Sequence, residues 1–208
     1  MRMADGINQD AYNLIAANYA SEHGAALAWK PELDMFLSQL DRPRLVLDLG
    51  CGPGDETAYL ARCLPGGRVI GVDFSEKMIA LARAQADGSG PTFVAGDITT
   101  YVPPGSVQGI WARAALHHLN DGELAALFAA VNSYGGPGLL VGMVNKLGSH
   151  EEIEEKQKYG ARLRRYFNYF SPDKVRALAA WHGYAVVREY EKPEAEHTFL
   201  VTFLRKQG

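Results

Sequence analysis

The chain is poor in several things, and each shortage excludes a class of protein. It holds only two cysteines in 208 residues, Cys51 and Cys63. They form no CxxC pair of the kind that grips zinc. Twelve residues apart, they fall in a loop and on the helix after it, so buried free thiols are expected, with no disulfide framework and no metal. No apolar run approaches the roughly 18 residues needed to span a bilayer, and the opening "MRMADGINQD" lacks the apolar centre of a secretory leader. Positive charge is not in excess either. With 21 Lys and Arg against 24 Asp and Glu, the formal net charge is −3, which argues against a dedicated nucleic-acid or anionic-membrane surface. Internal repeats, low-complexity tracts and long linkers are missing too. The expectation is one soluble cytoplasmic domain, 47% hydrophobic, large enough for a single substantial core.

What is present is an alternation. After an N-terminal part that reads as helical, with Tyr12, Ile15, Ala16 and Tyr19 on one face, Trp29-Lys30-Pro31 breaks the pattern and a second helix runs from Pro31 to Leu40. The dense apolar run "RLVLDL" (44–49) predicts a strand buried on both faces. Helix 55–64, strand 68–74, a helix capped by Ser75, and strands 92–98, 107–114 and 138–144 with a helix before the last complete the rhythm. Such alternation specifies a parallel sheet with helices on both faces, joined by right-handed crossovers. Helices are expected near 149–166 and 172–182, the first because its charges run from acidic to basic, as the helix dipole favours. "YAVVREYE" and "HTFLVTFLRK" are separated only by "KPEAE", enough for a hairpin but too little for a crossover.

The stretch "LVLDLGCGPGDETAYL" (45–60) follows the first strand of that sheet, where such folds bind ligands. A Walker-type phosphate loop is excluded, because no lysine occurs between Lys30 and Lys77. A dinucleotide fingerprint is disfavoured, because Asp55 stands where its third glycine belongs and would repel a pyrophosphate. Asp73 ends the second strand in "GVDFS", 19 residues after Gly54, and a carboxylate there can accept both hydroxyls of a ribose.

"LDLGCGPG" resembles motif I of the class I S-adenosylmethionine-dependent methyltransferases, an acid followed by alternating glycines. The resemblance runs from residue 8 to about 206, with its specific motifs between 44 and 119. It implies a Rossmann-like, doubly wound α/β fold with a seven-stranded, mostly parallel sheet, a C-terminal antiparallel hairpin and an N-terminal helical lid. One domain is implied: lid 1–42, cofactor-binding core 43–144, acceptor-side helices 145–183, and hairpin 184–208. The implied cofactor is S-adenosylmethionine, with S-adenosylhomocysteine as product. Asp48 would accept from its ammonium, and Gly50, Gly52 and Gly54 would let the backbone approach it. Asp73 would hold the ribose, Phe74 and Met78 would pack on the adenine, and Asp97 with Ile98 in "GDI" would meet its amino group and ring face. "YNLIAANY" is similar to the lid segment of many small-molecule members of the family, so Tyr12 and Tyr19 would reach the methionine carboxylate. Gln108-Gly109 and Arg113 depart from the usual pattern of the fourth strand; Arg113 either clamps a carboxylate or is structural.

The acceptor is less legible. His118, just beyond the fourth strand, is the best-placed general base, with a structural or capping role as its alternative. His117, Arg165, Tyr166 and Tyr169 combine flat rings with hydrogen-bonding groups suited to a small acceptor, or else form the rim of a helix docked by Phe167 and Phe170. Methyl transfer to O, N or C of a small molecule is the expected function, by a monomer or homodimer. A non-catalytic cofactor-binding protein on the same fold and a nicotinamide oxidoreductase are the alternatives.

Overall fold

A computed structural model describes residues 3–23, 28–41, 43–86, 90–194 and 196–208. Helix α1 (Met3–His23) leads into α2 (Lys30–Ser38), which starts behind Trp29 with Pro31 in its first turn. Strands β1 (Leu45–Leu49), β2 (Arg68–Asp73), β3 (Thr92–Ala95), β4 (Val107–Arg113) and β5 (Gly135–Lys146) are parallel neighbours. They alternate with α3 (Asp55–Cys63), α4 (Glu76–Gln85) and α5 (Asp121–Tyr134), and a 3-10 turn, Leu116–His118, follows β4. Helix α6 (Pro172–His182) precedes the terminal hairpin of β8 (Tyr184–Pro193) and β9 (Thr198–Lys206). The sheet order is β3-β2-β1-β4-β5-β9-β8, with β9 antiparallel to both its neighbours. Among the described residues no helix is long and apolar enough to cross a membrane, and no three His, Cys, Asp or Glu gather as a metal site would require.

Period-2 alternation sorts the strand residues between two cores. Leu45, Leu47 and Leu49 of β1 join Leu124, Phe128 and Val175 under α5 and α6. Val46 turns the other way, joining Leu33, Phe36 and Leu60 under α2 and α3. Helix starts are set by side chains. Ser75 Oγ accepts from Met78 N at 3.2 Å, Ser171 Oγ from Lys174 N at 3.2 Å, and Asn120 forms a reciprocal capping box with Glu123. The unusual start of β4 has a structural use: Gln108 Oε1 accepts from the amides of Arg44 and Leu45, at 2.9 and 3.0 Å, and so pins the entries of β4 and β1 together.

Two expectations need correction. Residues 149–166 are not helical: β6 (Glu151–Lys158) and β7 (Ala161–Asn168) form a separate antiparallel ribbon. Its turn is Tyr159-Gly160, both in the left-handed region with φ of +53° and +76°, the geometry of a tight hairpin. Leu163, Arg165 and Phe167 alternate inward, while the acidic-to-basic run becomes cross-strand pairs such as Glu154–Arg165 and Glu155–Arg162. The acceptor side therefore consists of a ribbon and one helix, not two helices. Of the cysteines, Cys51 is buried but Cys63, on the outer side of α3, is exposed.

Gly54 ends the loop after β1 with φ of +93°, and a Cβ there would sit 2.7 Å from the Phe93 ring and 2.9 Å from Ala82 Cβ. Its job is to seat α3 and α4 closely on the sheet. Gly54→Ala is expected to destabilise the fold by roughly 2–4 kcal/mol, combining backbone strain with overpacking. A urea titration would show this as a lowered midpoint at unchanged slope.

Candidate functional site

Strand order reverses at β1, which is paired with β2 on one side and β4 on the other. The crevice expected at the carboxyl ends of these strands is present, with a cavity volume of about 120 Å³. The loop after β1 forms its floor. Gly50 and Cys51 donate to Val72 O at 2.7 and 3.1 Å, folding the loop against the end of β2. Gly50 is required there: its φ is +76°, and a Cβ would meet Ala115 Cβ at 2.3 Å. Gly52 lines the crevice and donates its amide to Asp73 Oδ2 at 2.9 Å, while Ser75 N reaches Asp73 Oδ1 at 2.8 Å. Each carboxylate oxygen of Asp73 thus has one backbone donor and keeps a lone pair for a ligand. Phe74 and Met78 line the wall beside it.

Four of the residues assigned to the cofactor fall outside the lining. Gly54 faces Phe93 and Ala82, as described above. Asp48 is turned toward α3, its Oδ2 accepting from Thr57 Oγ1 at 2.6 Å. Asp97 folds onto its own turn, Oδ1 accepting from Thr99 N and Oγ1, each at 2.7 Å. Ile98 is buried in the core under α5 and α6. The short Asp97-Ile98 segment serves local geometry because β3 ends at Ala95, three residues earlier than its apolar pattern suggested.

The crevice is acidic at this end. Burial, reinforced by Glu56, pushes the Asp48 carboxyl up to about 7 against the opposing Thr57 bond. Burial alone pushes Asp73 up to about 6, opposed by the amides of Ser75 and Gly52. Asp55, in the first turn of α3, also lines the crevice and is raised by burial. Arg113 is the neighbouring cation, but Glu56 holds it: Oε1 accepts from Arg113 Nε, and Oε2 from Trp111 Nε1 at 2.7 Å. Two buried carboxyls forced toward neutrality beside a cation already paired make a site that gains by taking in positive charge. It suits an ammonium and a sulfonium, and Asp73 suits a ribose. It is badly suited to the pyrophosphate of a nicotinamide cofactor, since Asp55 occupies the helix N-terminus.

Helix α1 lies over the crevice and is tied down along its length. Gln9 Nε2 donates to Phe74 O at 2.7 Å, and Asn13 Oδ1 accepts from Ser75 Oγ at 2.7 Å. Asn8 accepts from Tyr166 N at 2.9 Å, and Asn18 donates to Tyr159 O at 2.8 Å. Tyr12 and Tyr19 both face the crevice, with ring centroids 6.0 Å apart. The Tyr12 hydroxyl is engaged with His118 Nε2 at 2.8 Å. His118 Nδ1 lies 2.9 Å from the carbonyl of Tyr166, which can only accept, so Nδ1 carries the hydrogen and Nε2 accepts from Tyr12. Burial, with Arg165 and Lys146 adding to it, lowers the His118 pKa to about 3. His117 is buried, its Nδ1 accepting from Lys146 N at 3.2 Å, and does not line the crevice. Tyr169 stacks on His150 and donates to Glu152, and Arg165 pairs with Glu154; the ribbon thus brings these two and Tyr166 against the lid, outside the lining itself.

Sequence reasoning missed Trp29, Glu56, Ala114 and Ala115 among the lining residues. Glu56 had a usable signal, as an acid in the first turn of a helix that starts at the ligand loop. Asn8, Gln9 and Asn13 had none, because polar residues on a lid helix look like any solvated face.

Comparisons with known proteins agree with this geometry. Residues 46–138 match a family model described as a methyltransferase domain. Over 82 residues the chain is 42% identical to trans-aconitate 2-methyltransferase of Methylobacterium radiotolerans, covering 39% of this chain and 31% of that one. Over 100 residues it is 37% identical to the enzyme of the same name from Escherichia coli, covering 48% and 39%. The alignments thus span about a third of the length of these curated relatives. Among solved structures, magnesium protoporphyrin IX methyltransferase from Synechocystis superposes with a TM-score of 0.76 at 17% identity, covering 100% of this chain and 99% of the other. An S-adenosylmethionine-dependent methyltransferase from Clostridium acetobutylicum gives 0.71 at 16%, covering 95% and 99%. The acidic glycine loop, the reversal of strand order above it and the methyltransferase domain matched over residues 46–138 thus make this chain similar to S-adenosylmethionine-dependent methyltransferases, whose fold it shares.

Proposed function

We propose that this protein transfers a methyl group from S-adenosylmethionine to a small-molecule acceptor. The observation that carries the reading is Asp73, held by two backbone amides and facing an acidic crevice closed over by a tyrosine-bearing helix. The curated relatives are named for a small organic acid, and two solved neighbours for magnesium protoporphyrin IX and a glycopeptide, so small acceptors fit the likeness.

When bound, the cofactor supplies a methyl carbon already carrying a good leaving group. The protein's part is then to align the acceptor and exclude water. Asp73 would fix the ribose through its two free lone pairs, and Gly50 and Gly52 would admit the amino-acid end. Phe74 and Met78 would cover the adenine. Asp48 acts from behind, its charge favouring an ammonium in the loop without contact to it. Arg113, tethered by Glu56, would stand near the cofactor's carboxylate. Tyr12 and Tyr19 would form the roof, residues 1–42 serving as lid, 43–144 as cofactor core and 145–183 as acceptor side, followed by the hairpin 184–208. His118 is best assigned to orienting Tyr12: its Nε2 is occupied and its basicity suppressed, so an acceptor that arrives with its nucleophile already ionised suits this site.

Calorimetry with S-adenosylmethionine, S-adenosylhomocysteine and NAD tests the cofactor, and a screen of small acceptors for labelled methyl tests the transfer. Binding of NAD alone would overturn the proposal. Asp73→Ala is expected to weaken S-adenosylhomocysteine by about 1–3 kcal/mol through lost charge-assisted hydrogen bonds. Unchanged affinity would count against the ribose assignment.

A pH dependence follows as well. In the ligand-free protein Asp48 and Asp73 bind protons more tightly than at the ordinary aspartate value of 3.8, with values of about 7 and about 6. Their contribution to stability is complete below that ordinary value and is lost as pH rises through the folded values. The ammonium of a bound ligand favours their ionised forms and reverses the trend. Thermal melts should therefore show a larger stabilisation by S-adenosylhomocysteine at about pH 8 than at about pH 5.5. An equal shift at both would remove the two carboxylates from the cofactor site.

A further inference from the structure

Lys146 is the last residue of β5 and is only 6% exposed. Its Nζ lies 3.6 Å from the ring centroid of Phe167 and 5.6 Å from that of Tyr169. Among the described residues, no carboxylate stands within ion-pair distance of it and no acceptor takes its protons. Ring faces offset part of the cost of burying an ammonium, but they do not replace an anion. Arg165, 7% exposed, approaches the same Phe167 ring from β7, with Cζ 5.1 Å from its centroid. Its Nη2 donates to Glu154 at 2.6 Å, while its buried Nε has no partner among the described residues. The other acid close by, Glu152, accepts from the Tyr169 hydroxyl. Among the described residues Glu154 is thus bonded to Arg165 Nη2 and Glu152 to a hydroxyl, so one buried ammonium and one buried guanidinium N–H have no anion in contact with them.

The two cations lie behind the crevice lining, one ring away from it. Lys146 is paired with Phe199 across β5 and β9, so their side chains share a sheet face, and the Phe199 ring lies 5.3 Å from Trp29, a lining residue. On the other side Phe167 lies 4.8 Å from His118, also a lining residue. Carboxylates thus stand at the glycine loop, and a pair of buried cations with unfilled contacts stands beneath the ribbon. We infer that Lys146 and Arg165 form an anion-holding subsite and that the acceptor is a small molecule bearing a carboxylate, a planar monoanion matching one ammonium and one free guanidinium N–H. This rests on the methyl-transfer reading of the crevice.

The test is calorimetry on protein loaded with S-adenosylhomocysteine, titrated with benzoate, succinate, benzamide and inorganic phosphate. The expected result is binding of a carboxylate, none of benzamide, and a loss of carboxylate affinity of about tenfold or more in Lys146→Met with S-adenosylhomocysteine affinity kept within about twofold. Lys146→Arg, which keeps the charge, should recover carboxylate binding to within about threefold of wild type. Equal binding by Lys146→Met, equal binding of benzoate and benzamide, preference for phosphate, or no heat from either carboxylate would each overturn the inference. The carboxylate titrations are repeated without S-adenosylhomocysteine. A protein that fails to bind S-adenosylhomocysteine yet binds carboxylate through Lys146 would strike the methyl-transfer reading and leave the anion subsite standing.

Discussion

Strand β1 is hydrogen-bonded to β2 on one side and to β4 on the other, all three parallel, and all five of its residues are buried. Every feature of the crevice follows from that placement. Crossovers leaving β1 and β4 must depart to opposite sides, so their carboxyl ends open a gap that no connection fills. The loop after β1 is pulled toward β2 by two amide bonds to Val72 O and then tied to Asp73 through Gly52. A side chain at Gly50 would strike Ala115, at the end of the neighbouring strand connection, so the loop can take this path only with glycine. The ligand loop is shaped from both flanking strands at once.

Charge is distributed along the crevice with the same economy. Asp48, Asp73, Asp55 and Glu56 crowd the end nearest the glycine loop, and Arg113 is bonded to Glu56. Burial makes each unpaired carboxyl resist ionisation, a strain that a cationic ligand relieves. Beneath the ribbon Glu154 pairs with Arg165 while Lys146 faces aromatic rings.

The lid and the ribbon depend on one another. Ala11 and Ile15 of α1 pack with Tyr159 and Leu163 of the ribbon, and Asn8 and Asn18 hydrogen-bond to its backbone at separate points. A two-stranded ribbon is marginal alone and needs such a surface to persist. In return it supplies Tyr166 O, which fixes the tautomer of His118 and so the direction of the Tyr12 hydrogen bond.

The parallel core, the glycine loop, the Asp73 position, the capped helices and the terminal hairpin were legible in the sequence, because each rests on local periodicity or on a residue type that few others can replace. Residues 149–166 were not. Their Glu, Lys and Arg content favours helix over strand, and the inward alternation of Leu163, Arg165 and Phe167 has meaning only once α1 and the 3-10 turn stand beside it. Asp48 and Asp97 carried the right chemistry in the right order, yet short-range hydrogen bonds to Thr57 and Thr99 turned them from the crevice. The sequence by itself thus determined the fold and the kind of ligand loop it carries. Which charges remain unpaired was decided only by tertiary packing, because compensation between buried charges depends on distances between separate elements, as for Glu56 of α3 and Arg113 of β4.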